Sequence, residues 1–258
     1  MKLSIDTYVI CGEMELGKLI DEAKSNGYVG IEFRSESNQK HGVEPEISKA
    51  KRQEIKRTMA DAGMATSCIS TSVRYESPDL AERRKNIDRA KQFIELAADI
   101  DCGRIRTFGN KFPKGMEKGD VIKYVGESLR EVGEFAADYN NVDVLLEMHG
   151  DFYYWEYCLN AVKIADHPNV AINYNSDKRD IVDGSVEQTY RHVAEHLRHI
   201  HMHTLEDAGF PYKELFQLLK DDVYDGYMSL EFGYKGGDPE IVMKLYAALF
   251  REYIAQLK

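Results

Sequence analysis

The hydrophobic and polar positions of the chain switch repeatedly between two periods. Short segments rich in Val, Ile, Phe and Tyr are largely apolar on both faces, which is typical of parallel strands covered by helices. These strand candidates span residues 3–9, 28–34, 65–71, 104–109, 142–148, 169–175, 198–204 and 226–232. Between them lie amphipathic, helix-periodic segments at residues 14–25, 45–62, 120–139, 154–166, 185–196, 211–220 and 238–256, with a further long helix that begins near Pro78.

Eight strands, each followed by a helix, predict a closed (β/α)8 TIM barrel of the α/β class. The length of 258 residues fits one such barrel, and no Gly/Ser-rich or Pro-rich linker divides it, so residues 1–258 are expected to form a single domain. An open doubly wound sheet usually has fewer strands, and no GxGxxG motif follows the first strand. The active site of such a barrel lies at the carboxyl ends of its strands.

Composition narrows the choice of partners and compartment. The net charge of −10 disfavours a nucleic-acid partner, because phosphate binding requires a basic face. The N-terminal apolar run is broken at once by a charge, and no run approaches the roughly 18 apolar residues of a membrane span. Four widely spaced cysteines without a CxxC pair indicate thiols in a reducing compartment. We therefore expect a cytoplasmic protein with a small-molecule substrate and neither a membrane nor a nucleic-acid partner; whether it forms a homo-oligomer stays open.

Four of the predicted strands end in polar side chains that packing does not require. Glu147 and Glu231 occupy matching positions at the ends of strands five and eight, and Asn175 closes strand six. Strand seven carries three alternating histidines, which share one face because side chains alternate along a strand: His199, His201 and His203. Four such ends at one rim offer oxygen and nitrogen ligands to a divalent metal ion.

Each of these positions also has a structural interpretation. The two glutamates could each form a salt bridge at the rim, but a carboxylate at the end of an apolar strand is costly unless paired or metal-bound, and two on one rim favour a ligand pair. Asn175 precedes Ser176-Asp177, which is ordinary turn chemistry, and Asp177 is the substitute ligand if Asn175 is not one. A lone strand histidine is usually a core residue, whereas three in register favour one metal ligand oriented by the others.

Further rim residues are candidates for substrate binding, each with a structural alternative. Arg106 ends strand four, where it would either grip a hydroxyl or phosphate group or form a salt bridge, and Arg34 and Glu32 at strand two are similar. His149 and Trp155 would line the substrate pocket, since aromatic faces stack on sugar C–H groups, although Trp155 is equally compatible with helix packing. Lys178 would contact a substrate phosphate or carboxylate, or lie in solvent, and His203 would meet substrate beside the metal.

The order Glu, Asn, His and Glu at the ends of strands five to eight resembles the xylose isomerase-like barrel superfamily. That superfamily includes sugar phosphate isomerases and epimerases, ketose 3-epimerases, inosose dehydratases and endonuclease IV-type enzymes. The resemblance covers all eight units, including Gly30-Ile31-Glu32 at strand two, where a GIE motif is common. It implies one divalent ion (Mn, Mg, Zn or Co) held by Glu147, Asn175, His201 and Glu231. His201 is preferred to His203 because the strand-seven segment of the family typically reads H-x-K-D.

Several positions depart from the family pattern. The usual Asp-x-x-His of strand six is read here as Asn175-Ser176-Asp177-Lys178, so that ligand is neutral and a substrate-contacting His is replaced by Lys178. Ketose 3-epimerases carry a Glu six residues beyond the strand-five ligand and an Arg six beyond the strand-seven His, where this chain has Tyr153 and Asp207. The motifs are therefore strong for the superfamily and weak for the reaction.

These observations together predict an enzyme of carbohydrate metabolism. The expected activity is a metal-dependent isomerase or epimerase of a small sugar, or sugar phosphate, that works through an enediolate-like intermediate with Glu147 and Glu231 as acid and base. An inosose dehydratase-like lyase needs the same enolisation and remains an alternative. A non-catalytic ligand-binding barrel is a third, against which the retention of both glutamates argues.

Overall fold

Eight parallel strands close into a barrel in chain order, with β8 pairing back onto β1. The computed structural model describes residues 1–139, 142–233 and 238–258. The strands are β1 (Lys2–Asp6), β2 (Gly30–Arg34), β3 (Ala65–Arg74), β4 (Arg104–Phe108), β5 (Asp143–Glu147), β6 (Val170–Asn175), β7 (Leu197–Met202) and β8 (Tyr227–Leu230). The predicted (β/α)8 barrel is confirmed.

A helix follows each strand and packs on the outside of the barrel. The helices are α1 (Leu16–Ser25), α2 (Lys49–Asp61), α3 (Leu80–Asp99), α4 (Lys118–Ala137), α5 (Trp155–Ala165), α6 (Glu187–Val193), α7 (Tyr212–Asp221) and α8 (Pro239–Ala255). Within the described ranges, no helix is both long enough and apolar enough to cross a lipid bilayer.

The main differences from the predicted elements lie at their ends. Helix α2 begins at Lys49 rather than at residue 45, because the Ser48 hydroxyl accepts a hydrogen bond from the Lys51 backbone N–H and caps the first turn. Helix α6 covers only Glu187–Val193 of the predicted 185–196, and its last part is a separate 3-10 turn, Ala194–His196. Periodicity continues through such turns, so it does not locate a helix end.

The interior of the barrel changes character along its axis. Cys68, Leu145 and Ala171 form a small apolar cluster inside the barrel, separate from the main core. Because all strands are parallel, their carboxyl ends lie together at one rim of the barrel. Glu147 and Asn175 are the last residues of β5 and β6, and Glu231 directly follows β8. The topology therefore delivers the predicted polar ends to one face of the molecule.

Candidate metal centre

His201 lies at the centre of the polar rim and is completely buried. Its Nδ1 atom is 3.0 Å from Glu147 Oε1 and 3.5 Å from Glu231 Oε2. We call Glu147, His201 and Glu231 the carboxylate–histidine cluster; the candidate ligand atoms of all three lie within 4.8 Å of one another. Three side chains from β5, β7 and the end of β8 thus point at one small volume, as the polar strand ends predict.

The electrostatics of this cluster favour charged forms despite its burial. Burial alone lowers the pKa of the His201 imidazole, but the carboxylates of Glu32, Glu231 and Glu147 hold that pKa well above its usual value. Burial alone raises the pKa of the Glu231 carboxyl, yet His201 and Arg106 bring it down to about 2. The site is therefore built around carboxylates that stay ionised.

Glu32 fixes the orientation of the His201 ring from the side opposite the cluster. Glu32 Oε1 accepts from His201 Nε2 at 2.9 Å, and Glu32 Oε2 accepts from His199 Nε2 at 2.7 Å. All three side chains are fully buried. A carboxylate that holds one imidazole nitrogen leaves the other free to bind a metal, which is the usual arrangement of metal-ligating histidines.

Two asparagines at the end of β6 compete for the role of neutral ligand. Asn173, which the sequence reasoning did not single out, has its Nδ2 atom 3.1 Å from His201 Nδ1. Asn175 is paired with His201 in the register of β6 and β7. The Oδ1 atoms of both are buried without a hydrogen-bond partner among the described residues. The contact with His201 favours Asn173, and rotation of its amide by half a turn would bring Oδ1 towards the cluster.

The shift from Asn175 to Asn173 also changes the comparison with the Asp-x-x-His pattern of the family. With Asn173 in the first position, the last position falls on Ser176 rather than Lys178. The Ser176 hydroxyl is buried and lies 2.9 Å from the Tyr212 hydroxyl. The sequence did contain a signal for Asn173, because it lies two residues before Asn175 and therefore on the same face of the strand.

Arg106 is a structural partner of the cluster. Its side chain is 1% exposed, and its Nε atom forms an ion pair with Glu147 Oε2 at 3.1 Å, in a geometry too bent for a hydrogen bond. Its Nη1 donates to Thr71 O at 2.8 Å, and the guanidinium lies 4.1 Å from the ring centre of Phe108. Of its two predicted roles, the structure shows the salt bridge.

A second buried acidic residue, absent from the sequence-based candidates, is linked to Glu32 through a shared hydroxyl group. Asp6 at the end of β1 is fully buried, and its Oδ2 lies 3.2 Å from the Ser70 hydroxyl. Ser70 also hydrogen-bonds to Glu32. Burial, together with the negative charges of Glu32 and Glu231, raises the pKa of Asp6 to about 8. Polar residues inside the apolar strands β1 to β3 were the available signal for this network.

His149 and Trp155 do not reach the cluster in this structure. His149 is exposed, with its ring 4.9 Å from that of Phe108. Trp155 stacks on His192 with ring centres 3.6 Å apart and planes 9° from parallel. The helix-packing interpretation of Trp155 therefore describes its contacts better than the substrate-pocket interpretation.

His203 and Lys178 do border open space beside the cluster. His203 Nδ1 donates to the Glu231 carbonyl at 3.1 Å, and a cavity of about 440 Å³ is lined by His203, Glu231 and Phe232, among others. A neighbouring cavity of about 320 Å³ is lined by both His203 and Lys178. The Lys178 ammonium is exposed and forms an ion pair with Asp207 at 2.7 Å.

The donor atoms suit a divalent ion. Two carboxylates, one imidazole nitrogen and a buried amide oxygen without a hydrogen-bond partner in the described part of the chain make a mixed oxygen and nitrogen set, which suits Mn, Mg, Zn or Co. The residues therefore fit the metal that the resemblance implies.

Comparison with known proteins agrees with this architecture. A family model described as "Xylose isomerase-like TIM barrel" matches residues 20–252. The chain belongs to this family. The family resemblance inferred from the strand ends is thus confirmed.

Individual relatives are more distant. A putative hydroxypyruvate isomerase from Mus musculus is 23% identical over an alignment of 168 positions, and the alignment covers 58% of this chain and 61% of that protein. The chain thus aligns with less than two thirds of that relative. A D-psicose 3-epimerase from Clostridium cellulolyticum H10, solved with D-tagatose, has a TM-score of 0.81 at 20% identity and covers 100% of both chains. The 3-keto-D-glucoside 4-epimerase of E. coli has a TM-score of 0.81 at 15% identity and covers 99% of both. At these identities the structural likeness establishes the fold.

Proposed function

We propose that the protein is a divalent-metal-dependent isomerase or epimerase that acts beside the carbonyl of a small sugar or sugar derivative. The observation that carries this proposal is the convergence of Glu147 and Glu231 on His201 Nδ1, with Nε2 of the same ring held by Glu32. The relatives named above as sugar epimerases and as a putative hydroxypyruvate isomerase support it. When bound, the ion supplies Lewis-acid stabilisation of the negative charge that enolisation places on substrate oxygens.

The two glutamates have different surroundings, and this difference suggests their roles. Glu147 is 1% exposed, and Arg106 restrains its second oxygen. The side chain of Glu231 is 13% exposed and borders the cavity that His203 also lines. Substrate therefore approaches from the Glu231 side, and Glu231 is the better placed base for the exposed face of the substrate carbon.

Proton transfer on the opposite face falls to Glu147 in this proposal. The strands β5 and β8 lie three apart in the ring of eight, so the two carboxylates approach a bound substrate from different sides. A base on one face and an acid on the other are what two-base epimerisation requires. His203, with one ring nitrogen engaged by the Glu231 carbonyl, is placed to contact a substrate hydroxyl.

Metal analysis combined with solvent exchange tests this proposal. Purified protein should bind about one divalent ion per chain by elemental analysis and calorimetric titration. Incubation in D2O with a panel of ketoses, keto-glycosides and hydroxypyruvate should place deuterium on the carbon next to the carbonyl for at least one compound. Loss of water from the substrate, seen by mass spectrometry, would instead identify a lyase. Binding of metal and sugar without exchange or turnover would identify a non-catalytic barrel, and absence of metal binding would reject the proposal.

A further inference from the structure

An aromatic pocket lies on the same rim as the carboxylate–histidine cluster, between the segments that follow β4 and β5. Its volume is about 510 Å³, within the range of small-molecule sites. Four aromatic rings and two charged groups line it: Phe112, Lys118, Asp151, Tyr153, Tyr154 and Tyr157. We use the term aromatic pocket for these six residues.

The walls of the aromatic pocket are held in place by backbone contacts between the two segments. Asp151 N donates to Asn110 O at 2.6 Å, and Phe112 N donates to Asp151 Oδ2 at 2.9 Å. Gly150 has a φ of +63° and passes so close to Asn110 O that a Cβ would not fit. The pocket is therefore preformed, and ordering its walls costs a ligand little.

The chemistry of the aromatic pocket matches a saccharide ring. Tyr154 meets the Tyr157 ring edge-on, with centroids 5.1 Å apart at 73°, and Phe112 meets Tyr157 at 5.2 Å and 89°. Arg179 covers a face of Tyr153 at 3.8 Å, and Phe152 stacks on Phe112, so these two rings are partly occupied. The ring neighbours of Tyr154 are all tilted or edge-on, so Tyr154 is the ring best placed to offer a flat face to the C–H groups of a sugar. The Lys118 ammonium, 2.9 Å from the Tyr157 hydroxyl, and the Asp151 carboxylate supply a donor and an acceptor for its hydroxyl groups.

The distance to the cluster is within reach of a linked sugar. Asp151 follows Glu147 by four residues, so the two Cα atoms are at most about 14 Å apart even if the chain were fully extended. That span is comparable with the length of a short oligosaccharide. A substrate whose reacting ring lies at Glu147 and Glu231 would then place its next ring among the tyrosines.

We propose that the aromatic pocket is a second saccharide subsite and that the substrate is a glycoside or short oligosaccharide rather than a free monosaccharide. This deepens the proposed function, on which the turnover part of the inference rests. The binding part does not depend on metal or catalysis. An experiment can therefore reject the binding part without rejecting the turnover part, and the reverse.

Binding to chelator-treated, full-length protein tests the subsite directly. Cellobiose, maltose and sucrose are titrated with saturation-transfer NMR as the readout. We expect at least one of them to bind. Tyr154→Ala should weaken that binding about two- to tenfold, the size of one ring-stacking contact, whereas Tyr154→Phe should keep most of the affinity. The Tyr154 carbonyl, which accepts from Tyr157 N at 3.1 Å, remains in both variants.

The matched control is Tyr139→Ala, a partly buried tyrosine beyond the end of α4 and therefore at the other end of the barrel. Its disaccharide affinity should equal that of the wild type. With an identified substrate pair, Tyr154→Ala should also lower the ratio of kcat/KM for the glycoside to that for the free sugar.

The subsite would be overturned if none of the disaccharides binds, or if Tyr154→Ala binds them as tightly as the wild type. If phenyl β-D-glucopyranoside binds here while every disaccharide fails, the pocket takes an aromatic ligand instead. If sedimentation shows a dimer that Tyr154→Ala dissociates, the pocket is occupied by a second copy of the chain. Disaccharide binding that depends on Tyr154 in a protein without any sugar turnover would retain the subsite and reject the proposed activity.

Discussion

Around the carboxylate–histidine cluster, the two halves of the barrel contribute buried polar groups with different contacts. In the β1–β4 half, the Ser70 hydroxyl donates to Glu32 and lies 3.2 Å from Asp6 Oδ2, and Arg106 donates to a backbone carbonyl while facing Glu147. In the β5–β8 half, Glu147, His201 and Glu231 converge on one point, and the Asn173 Oδ1 beside them has no partner among the described residues. Polar residues in apolar strands thus have two outcomes. We call the β1–β4 half, in which Ser70 links Asp6 to Glu32, the scaffold half, and the β5–β8 half, which carries the candidate ligand atoms, the ligand half.

The largest expected effect is a loss of turnover in variants of the two glutamates of the ligand half. Glu147→Gln and Glu231→Gln should each lower turnover at least about 10²-fold on an identified substrate, because each removes a proton-transfer group. Metal occupancy is measured in both variants, since a neutral amide is also a weaker ligand. Solvent deuterium exchange should survive only in the variant that keeps the abstracting base.

The control for these variants is Glu127→Gln, which changes an exposed glutamate of α4 paired with Lys123 at 3.7 Å. It should match the wild type. Wild-type turnover in both cluster variants would remove the two-glutamate mechanism and direct attention to His203 or Lys178 as the base.

Glu32, which links the two halves, should give the next largest effect, a loss of metal affinity. Glu32→Gln keeps the shape of the side chain but weakens its hold on His201 and His199, so metal affinity should fall about 10- to 100-fold. Calorimetric titration with Mn²⁺ measures this directly, with circular dichroism to verify folding. Unchanged affinity in a folded Glu32→Gln protein would show that the scaffold half does not orient the ligand half.

A buried histidine of the scaffold half should affect the free energy of unfolding rather than metal binding. His41, between β2 and α2, is 3% exposed; its Nδ1 accepts from Val43 N, and its Nε2 lies 3.0 Å from Gln39 Oε1. Burial lowers the pKa of His41 to about 4. The folded protein therefore resists protonation of this ring. Its contribution to stability is complete above the unfolded pKa of about 6.5 and is lost as the pH falls towards 4.

Between pH 8 and pH 5.5 this loss should be about 1.4 kcal/mol, or tenfold in the unfolding equilibrium. Urea titrations at the two pH values should show the stability gap between wild type and His41→Gln narrowing by that amount on acidification. His196→Gln, which replaces a partly exposed histidine near the start of β7, serves as the matched control for the loss of a histidine. An equal pH dependence in wild type and His41→Gln would contradict the buried neutral form.

The smallest expected effect sharpens the choice between the two asparagines. Replacing the neutral ligand by Asp adds a full charge, worth about 1 kcal/mol even in a water-like dielectric. Asn173→Asp should therefore tighten Mn²⁺ binding at least about fivefold. Asn175→Asp carries the original sequence-based expectation of the same gain. The variant with the larger gain in the same calorimetric titration identifies the ligand, and a gain in neither would count against an amide ligand.

The sequence predicted the fold and the cluster because both follow from local pattern. Two-sided apolar strands alternating with amphipathic helices leave few topologies other than a closed barrel. Parallel strands then bring Glu147, His201 and Glu231 to one rim without knowledge of any contact. Helix ends were less accurate, because caps such as Ser48 act through single hydrogen bonds that periodicity does not register.

The tertiary structure decided which polar groups act on one another. From the sequence Arg106 was equally a substrate contact and a salt bridge; the tertiary structure shows its ion pair with Glu147 and its contact with the Phe108 ring, and the substrate contact stays a prediction. The sequence singled out Asn175, and only the 3.1 Å contact between Asn173 Nδ2 and His201 Nδ1 makes Asn173 a second candidate ligand. The reason is physical: strand order and face follow from short-range periodicity, whereas ion pairs and ligand sets depend on distances of a few ångströms between strands far apart in the chain.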